Sequence, residues 1–163
     1  MTVSLDQSSG LPENDIFYMK KAISMAKSAE SAGEVPVGAV IVDEVGLILA
    51  EAPNSTIALS DPAAHAEILA MRRTGASLGN YRLLNMTLYV TVEPCIMCMG
   101  AVIHARLKRV VFGVHDPKWG GAGSLFDFSK KGLFNHFVET TSGVCEAECR
   151  KLLVDFFKQK RNA

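Results

Sequence analysis

Apolar positions recur at helical spacing early in the chain. From Asn14 onward Ile16, Met19, Ala22 with Ile23, Ala26 and Ala29 share one face, and Gly33 suits a stop. The pattern then shortens. Val37–Val42 and Gly46–Ala50 are apolar runs on either side of Asp43-Glu44-Val45, which predicts a hairpin covered on both faces. Asp61-Pro62 predicts a helix start, because Asp accepts from an early N–H and Pro has no N–H to lose. That helix is expected through His65 to about Thr74, with Gly75 and Gly79 beyond it. Thr87–Val92 is β-branched and aromatic and reads as a strand, followed by a helix from Cys95 to about Ala105. Strands are expected again at Arg109–Val114 and His136–Thr140, separated by a Gly-rich loop over 116–124, and a closing helix over 145–160. Helix, two strands, then alternating helices and strands predict an α/β sandwich with a mixed sheet.

Composition narrows the class. A chain of 163 residues, 48% hydrophobic and 21% charged, is expected to form one domain over 13–163 behind a small, polar leader at 1–12. No apolar run reaches the ~18 residues that cross a bilayer, and no export signal is read. Four cysteines without an export signal suggest a reducing, cytoplasmic setting, where metal ligation or core packing outranks disulfide formation. Net charge is zero, so bulk electrostatics lends nucleic-acid binding no support, though a local patch would escape this sum. Residues 150–163 form such a patch: Arg150, Lys151, Lys158, Lys160 and Arg161 oppose only Asp155.

The chemistry concentrates in two short segments, His65-Ala66-Glu67 and, 27 residues further on, Pro94-Cys95-Ile96-Met97-Cys98. Imidazole with two thiolates suits one zinc ion, and cysteines at i and i+3 face the same way on a helical turn. Both segments fall at expected helix N-termini, whose positive ends favour thiolates. Three protein ligands leave the fourth tetrahedral position to water, the arrangement of a catalytic site. Two thiolates cancel the charge of zinc(II), so water there is acidified less than at a three-histidine site. A neighbouring carboxylate then becomes valuable, and Glu67, not needed as a ligand, stands where it would take the proton. A source of hydroxide beside a proton shuttle fits replacement of an amino group on an aromatic ring, and H-x-E with P-C-x-x-C is the signature of zinc deaminases.

Longer stretches carry a narrower likeness: EVPVGAV (34–40), DPAAHAEILAMR (61–72), NYRLLNMTLYVTVEPCIMC (80–98), RVVFGVHDPKWGGAGSL (109–125) and CRKLLVDFFKQKR (149–161). Over residues 14–161 the chain resembles the bacterial tRNA-specific adenosine deaminases of the cytidine-deaminase-like superfamily. The resemblance implies a three-layer sandwich with a five-stranded mixed sheet flanked by helices, a homodimer, and one zinc per subunit. It further implies hydrolytic conversion of adenosine to inosine at the wobble position of a tRNA anticodon loop, typically in an arginine tRNA. On this likeness His65, Cys95 and Cys98 are the zinc ligands and Glu67 the proton shuttle. Asn54 contacts the base, and Asp116 meets the RNA backbone, where a carboxylate would accept from a ribose 2′-OH. His115 and Trp119 depart from the family pattern, in which an arginine and a small residue are common there.

Plainer readings stand beside these. Cys145 and Cys149 are expected as small core residues, against a four-cysteine zinc site that would leave His65 and Glu67 unexplained. Phe156-Phe157 is expected in the core, and His104 and His136 as ordinary polar or interface residues. Arg72-Arg73 and Lys130-Lys131 fit either a solvated face or an RNA patch. Trp119 fits RNA stacking or dimer packing equally. Two rival functions remain open: a deaminase of free bases or nucleosides with the same metal site, and a zinc-stabilised RNA-binding module without turnover.

Overall fold

The computed structural model describes residues 13–163; the expected leader at 1–12 lies outside them. The elements are α1 (Glu13–Ser31), β1 (Gly38–Val42), β2 (Ile48–Pro53), α2 (Ala66–Leu78), β3 (Thr87–Val92), α3 (Ile96–Ala105), β4 (Arg109–Val114), β5 (Glu139–Thr141) and α4 (Glu146–Arg161). They build one mixed five-stranded sheet in the order β2-β1-β3-β4-β5. The β1 strand is antiparallel to both its neighbours, whereas β3, β4 and β5 run parallel. Among the described residues no helix is long and apolar enough to cross a membrane.

Strand alternation sorts the core into two layers. Leu88, Val90, Val110 and Phe112 point to one face, where they pack with Leu69, Met99 and Val102 of α2 and α3. Tyr89 and Val111 point to the other, against Met19, Ala22 and Ile23 of α1 and Cys149 of α4. Cys149 therefore packs in the core as expected, and Gly113 makes room for it: a Cβ there would lie 2.5 Å from its sulfur.

Several expectations need correction. The helix after Asp61-Pro62 begins at Ala66, not Asp61, because Asp61 caps a turn instead: Ala63 N–H donates to its Oδ1 (2.9 Å) and Ala64 N–H to its carbonyl (3.1 Å). The same helix passes through Gly75 and ends at Gly79, whose left-handed φ of 64° closes it. The hairpin is covered on both faces only at β1; β2 is a half-buried edge strand. The last strand is the short Glu139–Thr141, and His136 instead donates from Nε2 to the Leu107 carbonyl (2.7 Å). Phe156 is buried but Phe157 is 44% exposed, so the pair is not wholly core.

The helical face predicted for α1 included Ile16, which is exposed, while neighbouring Asp15 is buried. Arg109 grips both Asp15 carboxylate oxygens (2.9 and 2.7 Å), and the Tyr89 hydroxyl donates to Oδ1 (2.8 Å). Arg109 also donates to Thr141, so one carboxylate ties α1 to β3, β4 and β5. Burial alone would raise the Asp15 carboxyl, but Arg109 and Tyr89 hold it below its ordinary value. A carboxyl lowered in the folded state stabilises the fold above the ordinary carboxylate range, and that contribution is lost as pH falls through the folded value. Asp15→Asn keeps the volume and removes the charge. It should lower the urea-unfolding free energy at pH 7 by roughly 2–4 kcal/mol, with Arg109 left partly buried and unpaired. The gap from wild type should narrow in acid, and a gap independent of pH would contradict the assignment.

Candidate active site

Three segments end at the same edge of the sheet. β3 and β4 point their C-terminal ends there and lead into Glu93-Pro94-Cys95 and His115-Asp116. Because β1 is antiparallel to β3, its N-terminal end lies at this edge too, and Asn54, just past β2, donates its N–H to the Val37 carbonyl (2.9 Å). This edge lies outside the carboxyl ends of the parallel strands β3 and β4, where open α/β sheets bind ligands.

Two helices aim their N-termini at this edge. His65 is the N-cap residue of α2 and Cys95 that of α3, and neither side chain is spent on capping its own helix. Cys98, fully buried, follows on the first turn of α3. His65 Nδ1 lies 3.5 Å from the Cys98 sulfur and 3.7 Å from that of Cys95. For zinc bound at ordinary lengths, the nitrogen-to-sulfur edge of a tetrahedron is ~3.6 Å, so both nitrogen-to-sulfur distances already match one. Among the described residues these three are the one His/Cys/Asp/Glu group with ligand atoms so close together, within 4.8 Å. Cys145 and Cys149 stay apart from it. Cys95 is held down to about 4 by the hydrogen bond from Cys98 and by His65, while Cys98, as the donor, is pushed far up.

Glu67, on the first turn of α2, is 4% exposed, and its Oε2 is buried with no hydrogen-bond partner. Burial pushes its carboxyl up to about 7, against the opposing pull of its own backbone N–H and His65. A buried carboxylate oxygen without a partner is costly unless something outside the chain completes it. The imidazole, two sulfurs and orphaned oxygen thus fit a metal ion with a proton-accepting neighbour.

His65, Glu67 and Cys95 floor a cleft of about 1280 Å³, with Val37, Asn54, Asp116, Trp119, Phe157 and Arg161 among its walls. Asn54 is nearly buried and gives one amide hydrogen to the Val35 carbonyl (3.4 Å). Asp116 is half-buried, and its Oδ1 accepts from the N–H groups of Lys118 (3.0 Å) and Trp119 (3.3 Å). Part of its carboxylate therefore shapes its own loop. On the surface Arg72 pairs with Asp61 (3.4 Å) and Arg73 donates to the Glu51 carbonyl (2.6 Å).

Comparison with known proteins fixes the relationship. Residues 12–114 match the cytidine and deoxycytidylate deaminase zinc-binding region. A tRNA-specific adenosine deaminase of Haemophilus influenzae is 50% identical, the alignment covering 91% of this chain and 86% of that protein. One of Bacillus subtilis is 48% identical, covering 90% and 91%. The chain belongs to the tRNA-specific adenosine deaminase family. A solved structure from studies of A-to-I editing by tRNA:A34 deaminases superposes on this family member with a TM-score of 0.79 and 40% identity, covering 84% of this chain and 99% of that one. The fold expected from the resemblance is the fold found.

Sequence reading missed the two carboxylates that hold the rims of the cleft. Glu93, buried at the end of β3, accepts from the N–H groups of Asp116 (3.2 Å), Ala122 (3.0 Å) and Ser124 (3.1 Å), from the Ser124 hydroxyl, and contacts His115 Nδ1 (3.1 Å). Burial would raise this carboxyl, but the Ser124, Ala122 and Asp116 donors hold it below its ordinary range. Gly120 lets the loop close on it, since a Cβ there would fall 2.2 Å from Oε2. On the other rim buried Glu34 accepts from Thr56 Oγ1 (3.2 Å), Ile57 N–H (3.2 Å) and Ala58 N–H (2.8 Å). The available signal was a carboxylate ending an apolar strand just ahead of the Cys motif, where burial demands several donors.

Glu93→Ala should leave zinc content unchanged but strip acceptors from buried N–H groups. At about 1.5 kcal/mol per charge-assisted bond, hydrogen exchange at Ala122 and Ser124 should accelerate at least roughly tenfold. Unchanged protection there would show that the loop does not depend on Glu93.

Proposed function

We propose that this chain hydrolyses adenosine to inosine at the wobble position of a tRNA anticodon, releasing ammonia, with His65, Cys95 and Cys98 holding one zinc per subunit and Glu67 as catalytic residue. The observation that carries this reading is the unpartnered Glu67 oxygen, buried beside a tetrahedral nitrogen-and-sulfur set at the floor of a cleft. Zinc bound there supplies a Lewis acid that acidifies water. Glu67 takes the proton released at Oε2 as the water oxygen adds to C6 of the purine and hands it to N1. It then carries the remaining hydroxyl proton to the departing amine. Adenosine and water enter; inosine and ammonia leave.

Asn54 retains a carbonyl oxygen and a second amide hydrogen, complementary to the acceptor and donor pattern of a purine edge. Asp116, with one oxygen given to its turn, offers the other to a ribose 2′-OH, which favours RNA over DNA. The basic end of α4 supplies phosphate contacts: Lys158, Lys160 and Arg161 lie in its last turn. An unpaired anticodon loop suits such a cleft because its bases cost little to extrude. Exposed Leu125, Phe126, Leu133, Phe134 and Phe137, gathered in one stretch, support the homodimer. The reading places the work in the cytoplasm.

Zinc-loaded protein incubated with an anticodon stem-loop should convert one adenosine, read as G on sequencing, far faster than free adenosine or guanine. Glu67→Ala should keep its zinc and lose deamination by about 10²–10⁴-fold or more. Metal loss in that variant would contradict the shuttle role, and comparable turnover of free bases would favour a nucleobase deaminase.

A further inference from the structure

Trp119 is the chain's single tryptophan, and it is 66% exposed in the wall of the catalytic cleft. Its mount is rigid. The N–H groups of Lys118 and Trp119 both donate to Asp116 Oδ1, Gly120 N–H donates to the Asp116 carbonyl (2.8 Å), and Gly121 N–H to that of Pro94 (2.8 Å). Beyond these the loop is tied to Glu93. A large apolar ring on such a mount loses little freedom on binding a partner, which favours affinity.

The neighbourhood selects the partner. Lys118 and Arg161 line the same cleft and enter no ion pair among the described residues, so the indole shares the cleft with two free positive charges. Flat aromatic surface with unpaired cations is complementary to a nucleobase and its phosphates. The reacting base cannot be the one that stacks there, because it has to reach Glu67 at the buried floor. Nor is the cleft filled by one base: its volume of about 1280 Å³ exceeds the roughly 300–1,000 Å³ that holds a drug-sized ligand.

We propose that Trp119 is a stacking platform for an unpaired base adjoining the reacting adenosine, with Lys118 and Arg161 receiving the neighbouring phosphates. This rests on the reading that the substrate is an anticodon loop.

The lone indole reports on its own contact. Zinc-loaded full-length protein is titrated with an anticodon stem-loop carrying inosine at the wobble position, which binds without turning over. Binding is followed by tryptophan fluorescence and, separately, by anisotropy of end-labelled RNA. Saturation should quench the fluorescence by half or more. Trp119→Ala should weaken binding and raise KM roughly tenfold with kcat nearly unchanged, and Trp119→Phe should recover most of the loss. An abasic residue on one side of the wobble position should cost wild type a similar factor and cost Trp119→Ala almost nothing. Turnover by a wild type whose fluorescence stays unmoved at saturation overturns the stacking inference alone. So does a blue shift that grows with protein concentration without RNA, which would put the indole against a second copy of the chain. Failure both to bind and to deaminate the loop overturns the inference together with the reading beneath it.

Discussion

Two helix N-termini meeting at one point is the constraint on which the site depends. His65 and Cys95 each occupy the residue just before a helix, where the backbone is extended and the side chain projects past the helix end. Their ligand atoms thereby converge, and Cys98 completes the set from the first turn of α3. The exposed N–H groups of both helices put partial positive charge around the sulfurs, which favours the deprotonated ligands that a metal requires. Glu67, on the first turn of α2, is carried to the same point by the helix that His65 caps. Ligand and carboxylate cannot drift apart, because α2 lies over the sheet with Ile68, Leu69 and Met71 in the core.

The cleft is built differently from its floor. Its rims are irregular backbone, and irregular backbone at a buried edge needs partners for its N–H groups. Glu34 supplies them on one side and Glu93 on the other, each a buried carboxylate facing several donors. Charge-assisted bonds of this kind are strong enough to hold a loop in one arrangement while its outer surface stays open. Asp15 plays a comparable part at the far end of the sheet, where it joins α1 to three strands through Arg109 and Tyr89. Buried acids thus organise both ends of the sheet, and their cost is offset because each is hydrogen-bonded.

Much of this was legible from residues alone. Periodicity located every helix and strand of the described residues, α2 with its start five residues early, since β3 and β4 are apolar and β-branched and α1 has a regular small-residue face. The metal set was legible because its chemistry is local: i and i+3 cysteines share a helical face wherever the fold puts them. What stayed hidden involved competition between equally local signals. Asp61-Pro62 looks like a helix start, but the chain must first turn back to bond Ser55 to the Ala64 carbonyl, and the helix waits for Ala66. The buried role of Asp15 left no local trace, because its partner Arg109 is 94 residues away. Glu93 was passed over because its donors belong to a loop without periodicity, and Phe157 was assigned to the core because an apolar stripe does not tell core from cleft.

Zinc K-edge X-ray absorption on the purified, folded protein tests the central claim most directly. One ion bound by one imidazole nitrogen, two sulfurs and one light oxygen scatterer that exchanges with added ligand is the predicted result. A sphere filled by side chains, a third sulfur, or a folded protein purified with no zinc would contradict it.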